Sequence, residues 1–175
     1  MLKVLTIYGT RPEAIKLAPV LVELKKHGGI HSHVCVTGQH RHMLDQVLRV
    51  FDIVPDLDLD LMCPDQGLSD LTARVITQVD RVITRIRPDL VMVQGDTTTA
   101  MASAMAAFYN KVSLAHVEAG LRSGDVNSPF PEELNRRVIS LFARYHFAPT
   151  ARAKQALLAE GVPESTIFLT GNPVI

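Results

Sequence analysis

The sequence predicts an α/β fold, a mainly parallel sheet with helices on both faces. Three observations carry this expectation. Short apolar runs alternate with longer segments of helical periodicity from one end of the chain to the other. The run Leu90–Val93 is continuously apolar and reads as a buried parallel strand, with Ser113–Val117 as its neighbour. Finally, Asp96, Glu118 and Glu132 each sit just past such a run, where open α/β sheets bind ligands.

Each element has its own warrant. Lys3–Tyr8 is the first strand. Glu13–His27 is a helix whose apolar face is Ile15, Leu17, Ala18, Leu21, Val22 and Leu24. His33–Thr37 is the next strand and His42–Phe51 the next helix. In Pro55–Leu61, Leu57, Leu59 and Leu61 alternate with Asp58 and Asp60, the period of a half-exposed strand. Leu68–Arg85 is a long amphipathic helix. Thr98–Tyr109 is nearly unbroken Ala, Met and Phe, and so is expected to be covered on most sides. Pro131–Arg144 and Ala151–Glu160 read as helices, His146–Ala148 and Thr166–Leu169 as the last strands.

Composition narrows the function classes. At 175 residues and 47% hydrophobic content, the chain can bury a substantial core in about one domain. Its 18 basic and 18 acidic residues balance, which argues against a general nucleic-acid surface. No stretch is long enough to span a membrane. Cys35 reads as a core thiol and Cys63 as a loop thiol, so no disulfide framework is expected. With no secretory leader evident, the expected location is the cytoplasm.

The turns carry the chemistry. In Gly9-Thr10-Arg11-Pro12-Glu13, Thr10 and Glu13 fit a capping box and Pro12 suits a first helical turn. Arg11 and Lys16 oppose the helix dipole there and point to an anion such as a diphosphate. The turn lacks the GxGxxG spacing and no Walker A sequence is present, so neither NAD nor ATP is expected, nor any other cofactor. Asp96 can be read as a helix cap or as a site acid, and local sequence leaves both open. Glu118 is not a preferred cap. His116, Glu118 and Arg122 place a base, an acid and a cation around one strand end, and Gly120 allows a tight, exposed turn. Residues 123–130 read as a polar, mobile loop. Glu132 and Glu133 open a helix, with Arg136 and Arg137 four residues on. His40 and His42 lack an obvious third ligand for zinc and read as ligand contacts or a helix start; no metal is expected.

Together these stretches resemble the bacterial non-hydrolysing UDP-N-acetylglucosamine 2-epimerases. The resemblance rests on Gly9–Lys16, Thr37–His40, Gly95–Thr99, His116–Arg122, Pro129–Glu133 with Asn135-Arg136, and Thr170–Pro173, in the family's order. It implies the N-terminal, Rossmann-like half of a glycosyltransferase-B-like enzyme. Residues 1–170 would form that domain, and residues 171–175 would begin the connection to a C-terminal domain. The implied reaction interconverts UDP-N-acetylglucosamine and UDP-N-acetylmannosamine by eliminating UDP and adding it back. Asp96, Glu118 and Glu132 would be the catalytic acids, and Arg11, Lys16 and Arg136 the substrate contacts. Gln39, His40, His42 and Glu132 would meet a second UDP-N-acetylglucosamine acting as an activator. The complete protein would be a homodimer; the Ala/Met-rich helix and the 68–86 helix are candidate interface elements. Two other readings remain: a relative acting on another UDP-2-acetamido sugar, including a hydrolysing form, or a non-catalytic sugar-nucleotide module.

Overall fold

The computed structural model describes every residue except 39, 40, 62, 64, 65 and 175, with backbone alone at 41–43. The strands are β1 (Leu2–Tyr8), β2 (Ile30–Val36), β3 (Leu57–Asp58), β4 (Leu90–Gln94), β5 (Ser113–Val117), β6 (Tyr145–Ala148) and β7 (Ile167–Leu169). The helices are α1 (Arg11–Lys26), α2 (Arg41–Val50), α3 (Leu68–Ile86), α4 (Thr98–Tyr109), α5 (Glu132–Phe142) and α6 (Ala151–Ala159). The seven strands form one sheet in the order β3-β2-β1-β4-β5-β6-β7. Every pairing is parallel. The chain winds outward from β1 in one direction, then returns to β1 and winds outward in the other. That reversal opens a crevice between the C-terminal ends of β1 and β4.

The strand pleat explains the two-sided core. Leu5, Ile7, Cys35, Val91, Val93 and Leu114 point to one face, where they meet α3, α4 and Ile139 of α5. Val4, Tyr8, Val34, Val36, Met92 and Ala115 point to the other, against α1 and α2. The uniform apolarity of α4 now has a cause. Ala100, Ala102, Ala104, Ala106 and Ala107 are fully buried because α4 is wedged between the sheet, α3 and α5. Small side chains let those layers approach closely.

Three sequence expectations change. β2 starts at Ile30, three residues before the predicted His33, because Leu2 to Leu5 of β1 supply partners for Ile30 to His33. The alternating strand over 55–61 contracts to two residues. Asp60 takes a left-handed φ of 46°, which breaks the extended run, although Leu59 and Leu61 still donate to Val36 and Thr37. The turn at Gly120 is buried instead of exposed. Gly120 has φ +88°, and a Cβ there would run into the Ala153 carbonyl of α6. Glycine is needed at this position for both its conformation and its size.

Gly120→Ala should therefore destabilise the domain by roughly 2–5 kcal/mol, combining a left-handed backbone penalty with overpacking. A lower urea midpoint at unchanged slope would register it, and a midpoint like the wild type would contradict the close approach.

Candidate active site

The crevice between β1 and β4 is a cleft of about 840 Å³, lined by Thr10, Arg11, Lys16, Gln94, Asp96 and Asn172 among others. Asn172 also borders a smaller depression of about 460 Å³ beside Glu118 and Thr150. The C-terminal ends of β4, β5, β6 and β7 thus open onto one continuous rim, with Asn172 between the two hollows.

The first turn folds as its sequence dictates. The buried Glu13 carboxylate accepts from the Gly9 and Thr10 backbone N–H groups at 3.0 and 2.7 Å, completing its half of the capping box. Its other oxygen accepts from the Thr97 hydroxyl at 2.7 Å, a contact across the crevice that sequence did not suggest. Burial pushes the Glu13 carboxyl above its ordinary value, and the bonds from Thr97, Thr10 and Gly9 oppose that rise.

Asp96 is not the cap of α4. Thr97 is, accepting from Ala100 N at 3.0 Å. The Asp96 carboxylate is left for Arg136, which closes on Oδ2 through Nη2 at 2.7 Å and Nε at 2.9 Å. Arg136 also reaches the buried Glu133 at 3.2 Å. Burial would raise the Glu133 carboxyl, but the Ser123 N–H, Arg137 and Arg136 pull it below its ordinary value. The expected pairing of Glu132 with Arg136 is therefore replaced by Glu133 pairing with both arginines. Among the described residues Glu132 has no side-chain partner; it is half-buried, one helical turn before Arg136.

Glu118 sits just past β5 with φ +66°, a strained setting for a residue with a Cβ. Its Oε1 accepts from Lys16 Nζ at 2.8 Å and from Gln94 Nε2 at 3.1 Å. Lys16 and Arg136, read from sequence as substrate cations, thus each hold one of the predicted acids. Arg11 is exposed and has no side-chain partner among the described residues. It is the cation with its charge unclaimed at the mouth of the cleft.

Two readings around the β5 end are corrected. His116 is fully buried, its Nε2 2.7 Å from the Gly95 carbonyl. Burial pushes its pKa down to about 4, so it is a neutral hydrogen-bond donor and not a base beside Glu118. Arg122 forks onto Glu160 at 2.7 Å and donates to Ser140 and the Leu121 carbonyl. It clips the turn to α5 and α6. Gln39 and His40 lie outside the described residues, as does the side chain of His42. No group of three or more His, Cys, Asp or Glu among the described residues is placed to hold a metal. No helix among them is long and apolar enough to cross a membrane. Sequence reading passed over Gln94, Glu133 and Asn135 as individual site residues. The one local signal was a polar Gln94 closing an apolar run.

A parallel Rossmann-like sheet, with acids and cations gathered at its reversal point, defines a doubly wound α/β domain with a candidate anion-binding cleft. The chain belongs to the UDP-N-acetylglucosamine 2-epimerase family, whose sequence profile matches residues 22–175. It is 53% identical over 174 residues to the UDP-N-acetylglucosamine 2-epimerase of Yersinia pestis, covering 99% of this chain and 46% of that protein. The Escherichia coli K12 enzyme of the same name gives the same identity and coverage. Among solved structures, the Neisseria meningitidis UDP-GlcNAc 2-epimerase bound to UDP-GlcNAc superposes with a TM-score of 0.97 at 51% identity. That match covers 99% of this chain and 47% of that one. A likeness to Acinetobacter baumannii MurG, at TM-score 0.70 and 13% identity, concerns the fold alone. The chain spans about half the length of the curated relatives it matches.

The His116 environment has a pH signature. Its folded pKa of about 4 lies below the ordinary value near 6.5, so the neutral form is the one the fold favours. As pH falls from about 6.5 to 4 the unfolded chain gains a proton that the folded chain refuses, and roughly 3 kcal/mol of stability is lost. His116→Gln should remove that segment of the pH–stability curve, measured by urea unfolding between pH 7 and 4.

Proposed function

We propose that this chain is the N-terminal domain of an enzyme that interconverts UDP-N-acetylglucosamine and UDP-N-acetylmannosamine. In this reading residues 1–170 are that domain and 171–175 begin the connection to the second. The observation that carries it is the pairing of acids with cations at the strand ends, Glu118 held by Lys16 and Asp96 held by Arg136, with Glu132 one helical turn before Arg136 and without a side-chain partner among the described residues. Membership of the family and the UDP-GlcNAc bound by the Neisseria meningitidis relative support it.

The chemistry follows from the substrate. The C2 proton of the amino sugar has no carbonyl beside it, so direct deprotonation is hard. A base removes that proton while the C1–O bond breaks, UDP leaves, and 2-acetamidoglucal remains. UDP then returns to C1 as a proton reaches C2 from the opposite face. Asp96, Glu118 and Glu132 supply the acid/base inventory for this. Arg11, with Lys16 and Arg136 as their acids are engaged, supplies charge for the departing diphosphate. No cofactor is needed for this route. Gln39, His40, His42 and Glu132 are the proposed contacts for a second UDP-N-acetylglucosamine acting as activator.

The complete protein, in this reading, is cytoplasmic and dimeric. Phe108, Tyr109, Leu134 and Leu141 are exposed on α4 and α5, a surface that a second copy would cover.

The complete enzyme, run in deuterated water, should incorporate deuterium at C2 of both sugars; epimerisation without C2 exchange would sink the elimination route. Glu132→Gln should lower kcat by about 10²–10⁴-fold. Arg11→Ala should weaken UDP binding about tenfold or more, the loss of one charged hydrogen bond, by calorimetric titration. Leu141→Asp should shift the sedimenting species from dimer to monomer.

A further inference from the structure

Residues 95–97, between β4 and α4, are held with unusual thoroughness for a three-residue turn. Gly95, at φ +71°, donates its N–H to the Val117 carbonyl at 3.0 Å. The Gly95 carbonyl accepts from His116 Nε2 at 2.7 Å. The Asp96 carbonyl accepts from Asn135 Nδ2 at 2.8 Å. The Thr97 hydroxyl donates to Glu13 at 2.7 Å. The three side chains come from β5, α5 and α1, and each is at most 2% exposed.

Burying three polar side chains carries a desolvation cost that apolar packing would avoid. Connecting β4 to α4 does not require it, since Thr97 already caps the helix and Gly95 already makes the turn. What the His116 and Asn135 bonds add is definition of both peptide planes flanking Asp96, and Glu13 pins the Thr97 side chain beside them. The Asp96 carboxylate then has one direction, and Arg136 meets it there with two N–H groups on one oxygen. Glu13 extends the hold, because its second oxygen carries the Gly9 and Thr10 amides that lead into Arg11.

We propose that His116, Asn135 and Glu13 are positioning residues that jointly fix residues 95–97 and so aim the Asp96 carboxylate at the reacting carbon. This rests on the functional reading above, with Asp96 as one of its acids. None of the three touches substrate; they act through the turn. Misplacement of a reacting group by about 1 Å can cost about 10²-fold in rate, and that sets the expected scale.

The test uses the complete enzyme carrying His116→Leu, Asn135→Leu or His116→Gln, the last keeping an N–H donor near the Gly95 carbonyl. Three quantities are measured: kcat and KM for UDP-N-acetylglucosamine, UDP affinity, and amide exchange of the peptide spanning residues 95–97. The expected result for both leucine variants is a kcat loss of roughly 10–100-fold with KM and UDP affinity within about threefold. Exchange in that peptide should rise while the α3 core stays protected, and His116→Gln should regain much of the rate. Wild-type kcat in a folded leucine variant would overturn the proposal. So would unchanged exchange, or a glutamine variant no faster than leucine. Should His116→Leu fail to fold, Asn135→Leu decides by the same readings. Should the wild-type enzyme not turn over UDP-N-acetylglucosamine at all, the functional reading fails, and the exchange arm still accepts or rejects the hold on the turn.

Discussion

One buried carboxylate spans the reversal point of the sheet. α1 and α4 start on opposite faces of the sheet, from the adjacent ends of β1 and β4. Glu13 meets both, taking two amides from the first turn and a hydroxyl from the second. Because β1 and β4 are adjacent and parallel, this link sets the width of the cleft between them. Arg11 and Lys16 on one side, and Asp96 on the other, depend on it for their separation.

Around that fixed frame, charge is arranged in stages. Two acids are neutralised by cations from other elements, Lys16 from α1 and Arg136 from α5. A third, Glu132, has no side-chain partner among the described residues, nor has Arg11. In the proposed reaction, an anionic ligand would meet Arg11 at the cleft mouth and compete with Glu118 for Lys16, which are paired here at 2.8 Å. Close pairing keeps these partly buried charges balanced. The Glu118 backbone, held left-handed, keeps its side chain turned toward Lys16 and Gln94.

Much of this was legible because parallel sheets write themselves plainly. α4 and β5 have the predicted limits and β4 runs one residue further, to Gln94, since uniform apolarity and helical composition left no competing reading. The candidate acids were legible by position alone, just beyond strand ends. What failed were properties decided by partners distant in sequence. His116 reads as a base until Gly95, 21 residues away, is seen to take its N–H. Arg122 reads as a site cation until Glu160 claims it from 38 residues away. Asp96 is a good cap in isolation, and only the Ala100 N–H donating to Thr97, with Arg136 closing on Asp96, assigns the cap to Thr97. The 55–61 segment had the period of a strand but not the backbone, because Asp60 turns left-handed against Gly38.

The sheet ends in strands of two and three residues, β3 and β7. A parallel sheet of seven strands could present long rows of open amides and carbonyls at both margins, templates for another chain to extend. Here those margins are nearly absent. Another chain therefore finds little open backbone at either margin onto which to zip, and the brevity of two inconspicuous strands works against strand-to-strand aggregation.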